Sequence, residues 1–87
     1  MDQEQFEEQL QIAQNNSRSA QQPLYWCGYA RGLRRAYLGR RFSSDTDHFA
    51  WLEFRKDADP CVAELGRGYR DGLAAVVSGR ATGTLRG

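Results

Sequence analysis

The sequence contains the pattern Gly-Tyr-x-x-Gly-Leu twice, at Gly28–Leu33 and forty residues later at Gly68–Leu73. Each copy is followed by a Gly-Arg pair, at Gly39 and at Gly79. Within each copy the two glycines are four residues apart, which places them on one side of an α-helix. Two helices in equivalent surroundings would give such a repeat. The pattern therefore constrains the chain to a helical fold in which both copies are core elements.

Helix start signals divide the chain into four segments. Asp2 with Gln5 three residues later is a capping box before apolar residues at helical spacing. Ser44 precedes an aromatic-rich segment, and Asp59 precedes Pro60, which favours the first turn of a helix. We therefore predict four helices and expect the aromatic-rich third one to be well covered.

Stop signals set the predicted helix ends. The polar run 15–17 is expected to end the first helix, and Gly39 and Gly79 are expected to end the second and fourth. The predicted fold is a small all-α domain with helices over residues 3–14, 23–38, 45–56 and 60–78.

The 87 residues have room for a single domain. We divide it into an acidic helix and linker over 1–22, a repeat-containing core over 23–79, and a flexible tail over 80–87.

Glycine in the middle of a helix costs about 1 kcal/mol relative to alanine, so close packing must offset four such positions. We expect a helix-packing seam formed by Gly28, Tyr29, Gly32, Gly68, Tyr69 and Gly72. The tyrosines would fill the space beside the glycines, and the third helix would cover them. Two arrangements remain open: the two copies pair within one chain, or one glycine strip forms a homodimer.

Arginine is concentrated between residues 31 and 41, a stretch that contains five arginines and no acidic residue. Arginine binds carboxylates and phosphates through two parallel hydrogen bonds. The candidate partner-binding residues are Arg31, Arg34 and Arg35 on the polar half of the second helix, with Arg40 and Arg41 just beyond. The same face could instead be merely solvated, or covered by the acidic first helix.

Little in the sequence indicates catalysis. His48 is the single histidine, and Cys27 and Cys61 lack any metal-binding or redox spacing. We expect no enzyme activity, cofactor or metal, and reduced cysteines, although a bond between the two remains open. Net charge is +1 and no apolar run could span a bilayer, so we expect no membrane association and a cytoplasmic location in a bacterial host.

Three segments, YWCGYARGLRRAYLGRRF, HFAWL and GRGYRDGL, resemble a group of short, mostly uncharacterised proteins of bacteria, prophages and other mobile elements. Their shared pattern is GYxxGLRRAYxG followed by GRGYxxGL, and the resemblance covers Tyr25 to Leu73. It brings no established activity or site residues. It implies a phage accessory protein, a class that includes anti-CRISPR inhibitors, which act by binding a host protein.

Three functions remain open. The first is a non-enzymatic protein-binding module that inhibits a host protein complex. The second is a nucleic-acid-binding module that uses the arginines on phosphates, although the low net charge disfavours it. The third is a structural protein that self-assembles through a glycine strip.

Overall fold

The computed structural model describes residues 2–19 and 21–86, with side chains described over 2–18 and 21–76. It confirms the small all-α fold of four helices. In chain order these are α1 (Gln3–Ser19), α2 (Pro23–Leu38), α3 (Asp45–Glu53) and α4 (Pro60–Arg86), with 3₁₀ turns at Gly39–Arg41 and Phe54–Lys56. The bounds of α2 are those predicted, and α3 with the second 3₁₀ turn covers the predicted third helix.

The polar run 15–17 lies inside α1 and does not end it, contrary to the prediction. The Gln11 side-chain amide donates to Asn15 Oδ1 over 3.0 Å. The Ser17 hydroxyl donates to the Gln14 carbonyl over 2.7 Å. Gln11 and Asn15 pair side chain to side chain, and Ser17 bonds a carbonyl of its own helix, so these polar residues find partners within α1 and the helix continues past them.

The helical backbone of α4 continues through Gly79, the predicted stop, to Arg86. A glycine ends a helix when it takes a positive φ, as Gly39 does after α2 with φ of 68°. Gly79 is helical instead. The flexible tail over 80–87 stays a prediction, since side chains beyond Val76 lie outside the described residues.

Two helix starts follow their sequence signals. Asp2 Oδ1 accepts from the Gln5 backbone N–H over 2.8 Å, and Gln5 Oε1 accepts from the Asp2 N–H over 3.2 Å. The Ser44 hydroxyl accepts from the Asp47 backbone N–H over 3.2 Å, which caps α3. The start of α3 is thereby fixed beside the arginine-rich end of α2.

The four repeat glycines lie where the backbones of α2 and α4 approach each other. A Cβ atom added at any of them would overlap a carbonyl oxygen of the facing helix. The facing carbonyls are those of Leu65 for Gly28, Tyr69 for Gly32, Tyr25 for Gly68 and Tyr29 for Gly72. The partner number rises with the glycine number, so α2 and α4 run parallel.

The α2–α4 contact is also symmetric. Moving the Gly28–Leu65 contact by the forty-residue repeat gives the contact between Gly68 and Tyr25. Each helix therefore presents the same surface to the other, as two subunits do in a twofold dimer. Both glycine strips are occupied within one chain, which is the intramolecular arrangement of the two considered from the sequence.

α1 packs along one face of the α2–α4 pair. Phe6 and Ala13 of α1 are buried in a cluster with Ala30 and Leu33 of α2. The Phe6 ring stacks on Tyr37 with centroids 4.2 Å apart. α1 therefore lies on the apolar side of α2 and leaves the arginine-bearing side free of it. No helix of the described chain is long and apolar enough to cross a membrane.

The opposite face is covered by residues 39–56, which we call the cover segment. It contains both 3₁₀ turns and α3. α3 lies over Tyr69, which is completely buried, with Trp51 against the tyrosine ring at a centroid distance of 5.5 Å. The expectation that α3 is well covered is wrong, because none of its residues is buried. A nine-residue helix on the outside of a parallel pair buries only one edge.

Candidate protein-binding site

The structure divides the five candidate arginines into two groups. Arg31 and Arg35 point into the contact between α2 and the cover segment. Arg34 and Arg41 form no hydrogen bond or ion pair among the described residues, and Arg40 forms one ion pair while staying open to solvent. The arginines therefore do not act as one exposed face.

Arg35 fastens the start of α3 to α2. Its guanidinium donates to the carbonyls of Ser43 and Ser44 over 2.6 and 2.9 Å and to Asp45 Oδ1 over 2.7 Å. The Arg35 side chain is only 11% exposed. Hydrogen bonds from an ionised donor are about twice as strong as neutral ones, so Arg35 is a structural residue of the loop.

Arg31 packs between two aromatic rings of the cover segment. Its guanidinium carbon lies 5.1 Å from the centre of the Phe42 ring and 4.7 Å from that of Trp51. Both distances are within cation–π range. The Nε atom is buried without a hydrogen-bond partner in the described chain, so ring contacts replace the polar contacts that this group would make in water.

Arg40 remains available at the surface although it is paired. Its guanidinium lies 2.9 Å from Asp45 Oδ2, and its side chain is 81% exposed. The hydrogen bond from Arg35 is the main reason that the pKa of Asp45 lies below its usual value, and Arg40 adds to the effect. Asp45 therefore stays ionised and holds Arg40 beside the N-terminus of α3.

Two large apolar side chains are exposed close to these arginines. Phe49 is 61% exposed and lies one turn after Asp45 on α3, so the two share a face. Leu38 is 41% exposed and lies one turn after Arg34 at the end of α2. We group these side chains as a candidate surface, the Phe49 patch, defined as Arg34, Leu38, Arg40, Arg41 and Phe49.

Sequence reasoning missed the apolar half of this patch. Phe49 lies in the helix that was expected to be well covered. In the described chain, however, the ring contacts of α3 with the buried Tyr69 come from His48 and Trp51. The signal was present: His48, Phe49 and Trp51 cannot all face one partner, since consecutive residues of a helix are about 100° apart.

A second residue that the repeat did not single out is Gly66. A Cβ atom there would overlap the backbone nitrogen of Arg55 in the second 3₁₀ turn. The turn therefore rests directly on the α4 backbone. The equivalent position in the first copy is Trp26, so Gly66 is a glycine without a repeat counterpart.

His48 joins the cover segment to the buried side of α4. Its Nδ1 atom lies 2.7 Å from the Tyr69 hydroxyl oxygen. Because Tyr69 is completely buried and no other acceptor for its proton is found among the described residues, we assign the tautomer in which the hydroxyl donates to Nδ1 of His48. Burial lowers the pKa of His48, and the positive charge of Arg35 lowers it further. The imidazole is therefore the neutral acceptor that Tyr69 needs.

The structure brings no metal-binding cluster together in the part of the chain that it describes. No three residues among His, Cys, Asp and Glu stand close enough to hold a metal ion there. Cys27 and Cys61 are both free and exposed. His48 contacts the Tyr69 hydroxyl, and no hydrogen bond joins it to Cys27 or Cys61 among the described residues.

Searches against protein-family models, curated proteins and solved structures found no match to this chain.

Proposed function

We propose that the protein is a non-enzymatic protein-binding module whose contact surface is the Phe49 patch. The observation that carries the proposal is an exposed aromatic ring beside exposed arginines. Phe49 is 61% exposed. The side chain of Arg40, which pairs with Asp45 one turn before Phe49, is 81% exposed. Aromatic residues and arginine are the side chains most enriched in protein interfaces, and the central ones supply most of the binding energy.

The partner surface should combine an apolar pocket with carboxylates. Phe49 would fill the pocket, and Arg34, Arg40 and Arg41 would pair with acidic side chains around it. Arg40 already forms a contact of this kind, because its guanidinium pairs with the Asp45 carboxylate of its own chain over 2.9 Å. The resemblance to phage and mobile-element proteins adds the expectation that the partner is a host protein complex which this protein inhibits, as anti-CRISPR proteins do. The cytoplasm of a bacterium is the expected location.

Nucleic-acid binding receives less support from the site. Five arginines would contact the phosphates in that alternative, but Arg31 and Arg35 are engaged inside the fold. Phosphate binding also gives a steep dependence on salt, whereas an apolar anchor does not.

The test is a capture experiment from nuclease-treated bacterial lysate with three versions of the protein. One is unaltered, one carries Phe49→Ser with Arg40→Glu and Arg41→Glu, and the matched control carries Ile12→Ser with Arg67→Glu and Arg70→Glu. The control removes one exposed apolar residue and changes charge equally at exposed positions elsewhere. Arg31 and Arg35 are left unaltered because they hold the cover segment.

A discrete protein retained by the unaltered and control versions but lost from the patch variant is the expected result. Far-UV circular dichroism must be the same for all three. A partner that both variants retain would contradict the patch. If no protein is retained, but nucleic acid is captured from a parallel lysate without nuclease with an affinity that falls steeply as salt rises, the phosphate-binding alternative is favoured.

A further inference from the structure

Tyr69 is the most deeply buried ring of the molecule, and its hydroxyl has a single partner among the described residues. The ring is completely buried, and its oxygen lies 2.7 Å from His48 Nδ1. A buried hydroxyl that loses its acceptor retains the full penalty of desolvation. The position of α3 on α4 therefore depends on His48 being able to accept this proton.

Burial raises the pKa of Tyr69, so the tyrosine keeps its proton across the neutral range. His48 is then the group that changes. When His48 takes up a proton at Nδ1, both facing atoms carry hydrogens, and the Tyr69 hydrogen has no acceptor. The hydrogen bond can reverse so that His48 donates, but the tyrosine proton is then left unpaired in a buried space.

The charges around His48 come from two helices. Arg35 of α2 opposes a second positive charge there, and Asp45 of α3 favours it. Asp45 is already engaged by Arg35 and Arg40 at 2.7 and 2.9 Å, so its charge is largely compensated. Arg31 and Asp47 act on the Tyr69 side of the pair with opposite signs. Asp45 is therefore the carboxylate that acts on His48 itself, and its charge is already shared by two arginines.

The rest of the cover segment is held weakly enough for this one contact to matter. No residue of α3 is buried. Besides His48, the cover segment is held by Arg35 at the start of α3, by Trp51 against Tyr69 and Arg31, and by the 3₁₀ turn on Gly66. Segments with few buried contacts open at a lower free energy than the core around them.

We infer that the hydrogen bond between His48 and Tyr69 is a proton-sensitive latch that holds α3 on α4, and that mild acidification releases α3. Its bearing on partner binding rests on the proposed function, because Phe49 is carried by the same helix. The pKa of His48 is lower in the folded protein than in the unfolded chain, where it is 6.5. The latch is therefore intact above about pH 6.5, and it is lost as the pH falls through the lower pKa that His48 has in the folded protein.

The test uses two observables of the full-length chain between pH 8 and pH 5. The single histidine gives one ring Cε1 proton signal, which reports the titration directly in the unaltered protein. In a Trp26→Phe version, Trp51 is the remaining tryptophan and its emission reports whether α3 leaves Tyr69. The two changes should share one midpoint below pH 6.5 while far-UV dichroism shows that the other helices remain.

His48→Gln is the matched variant. Its amide oxygen accepts from the Tyr69 hydroxyl and does not titrate, so the Trp51 transition should disappear. In Tyr69→Phe no hydroxyl is left unpaired, so the histidine midpoint should rise above that of the unaltered protein, while burial and Arg35 still hold the pKa of His48 below 6.5. A Trp51 transition that persists in His48→Gln, or an unaltered protein whose Trp51 emission does not change as His48 titrates, would overturn the inference.

The same variants separate this inference from the proposed function. Loss of partner at pH 5.5 but not at pH 7.5 in the unaltered protein, with retention at both in His48→Gln, is expected. Partner capture at pH 7.5 without any Trp51 transition would overturn the latch and leave the Phe49 patch standing. A Trp51 transition with no partner at either pH would do the reverse.

Discussion

α2 and α4 carry the same motif, yet the second residue of the motif is treated differently in each. Tyr69 is completely buried beneath His48 and Trp51 of the cover segment. Tyr29 is half-buried on the opposite face, where its ring lies 5.1 Å from that of Trp26. Identical motifs thus share one inner contact and diverge wherever another element covers them.

The fourth position of the motif diverges further. Arg31 packs between two rings, whereas the equivalent Asp71 accepts a hydrogen bond from the Tyr25 hydroxyl over 2.6 Å. The glycines cannot vary, because the facing backbone occupies the space of a side chain. The comparison teaches that the backbone contact fixes the inner positions of the repeat, while the outer positions are free to acquire separate roles.

The largest expected effect breaks the inner contact. Gly32→Leu and Gly72→Leu each place a side chain against backbone that cannot rotate away, since each added Cβ overlaps a carbonyl oxygen. We expect each to lower the free energy of unfolding by more than about 3 kcal/mol, the upper end of the usual range for overpacking. Urea denaturation followed by circular dichroism measures the loss. Ala74→Leu, at an exposed position of α4, is the control and should be close to neutral.

Symmetry predicts similar losses for the two glycines. A fully stable Gly32→Leu protein beside an unfolded Gly72→Leu protein would show that α2 and α4 do not contribute equally to the contact.

The next effect separates the two tyrosines. Tyr69→Ala should lower stability by about 3–5 kcal/mol, the range for removing a large buried ring. Tyr29→Ala should have a smaller effect, because that ring is only half-buried. Thermal melts of the pair check the order, and equal losses would mean that the cover segment does not distinguish the two faces.

A smaller effect concerns the arginines. Arg35→Ala removes three charged hydrogen bonds from a side chain that is 11% exposed and should cost about 2 kcal/mol. Arg34→Ala is the matched control, since half-buried Arg34 has no hydrogen-bond or ion-pair partner among the described residues and its change should stay within about 0.5 kcal/mol. Chemical denaturation of both proteins gives the comparison. If Arg35→Ala is as stable as Arg34→Ala, the contacts to the loop carry no weight.

The smallest expected effect on stability at neutral pH comes from Asp71, the counterpart of Arg31 in the second copy of the motif. Burial, together with the hydrogen bond to Asp71, raises the pKa of Tyr25 from 10.0 to about 12. The protonated hydroxyl therefore stabilises the fold below pH 10, and this contribution is lost as the pH rises toward 12. Asp71→Asn should bring the pKa of Tyr25 down toward 10. Ultraviolet titration with Tyr25→Phe as reference measures it, and an unchanged value would mean that burial alone sets the pKa.

The repeat and the capping residues were enough to predict four helices and the glycines that pack between two of them. Each of these rests on local sequence: an Asp or Ser side chain that caps, or a glycine at helical spacing. The role of Arg35 could not be predicted in this way, because its partners at Ser43 and Asp45 become neighbours only when the chain turns at Gly39. The same holds for Arg31. A hydrophobicity pattern treats arginine as polar, but the planar guanidinium of Arg31 packs between the rings of Phe42 and Trp51.

The parallel arrangement of α2 and α4 has a consequence for the order in which the molecule folds. α1 and α2 are adjacent in the chain, with three residues between Ser19 and Pro23, so their contact can close from this short connection outward until Phe6 reaches Tyr37. The glycines of α2 meet partners about forty residues away, a closure that is slower and has a larger entropic cost. Helical proteins fold fastest when their contacts are local. We therefore expect the α1–α2 hairpin to form early and α4 to dock late, which makes this docking the step that sets the folding rate.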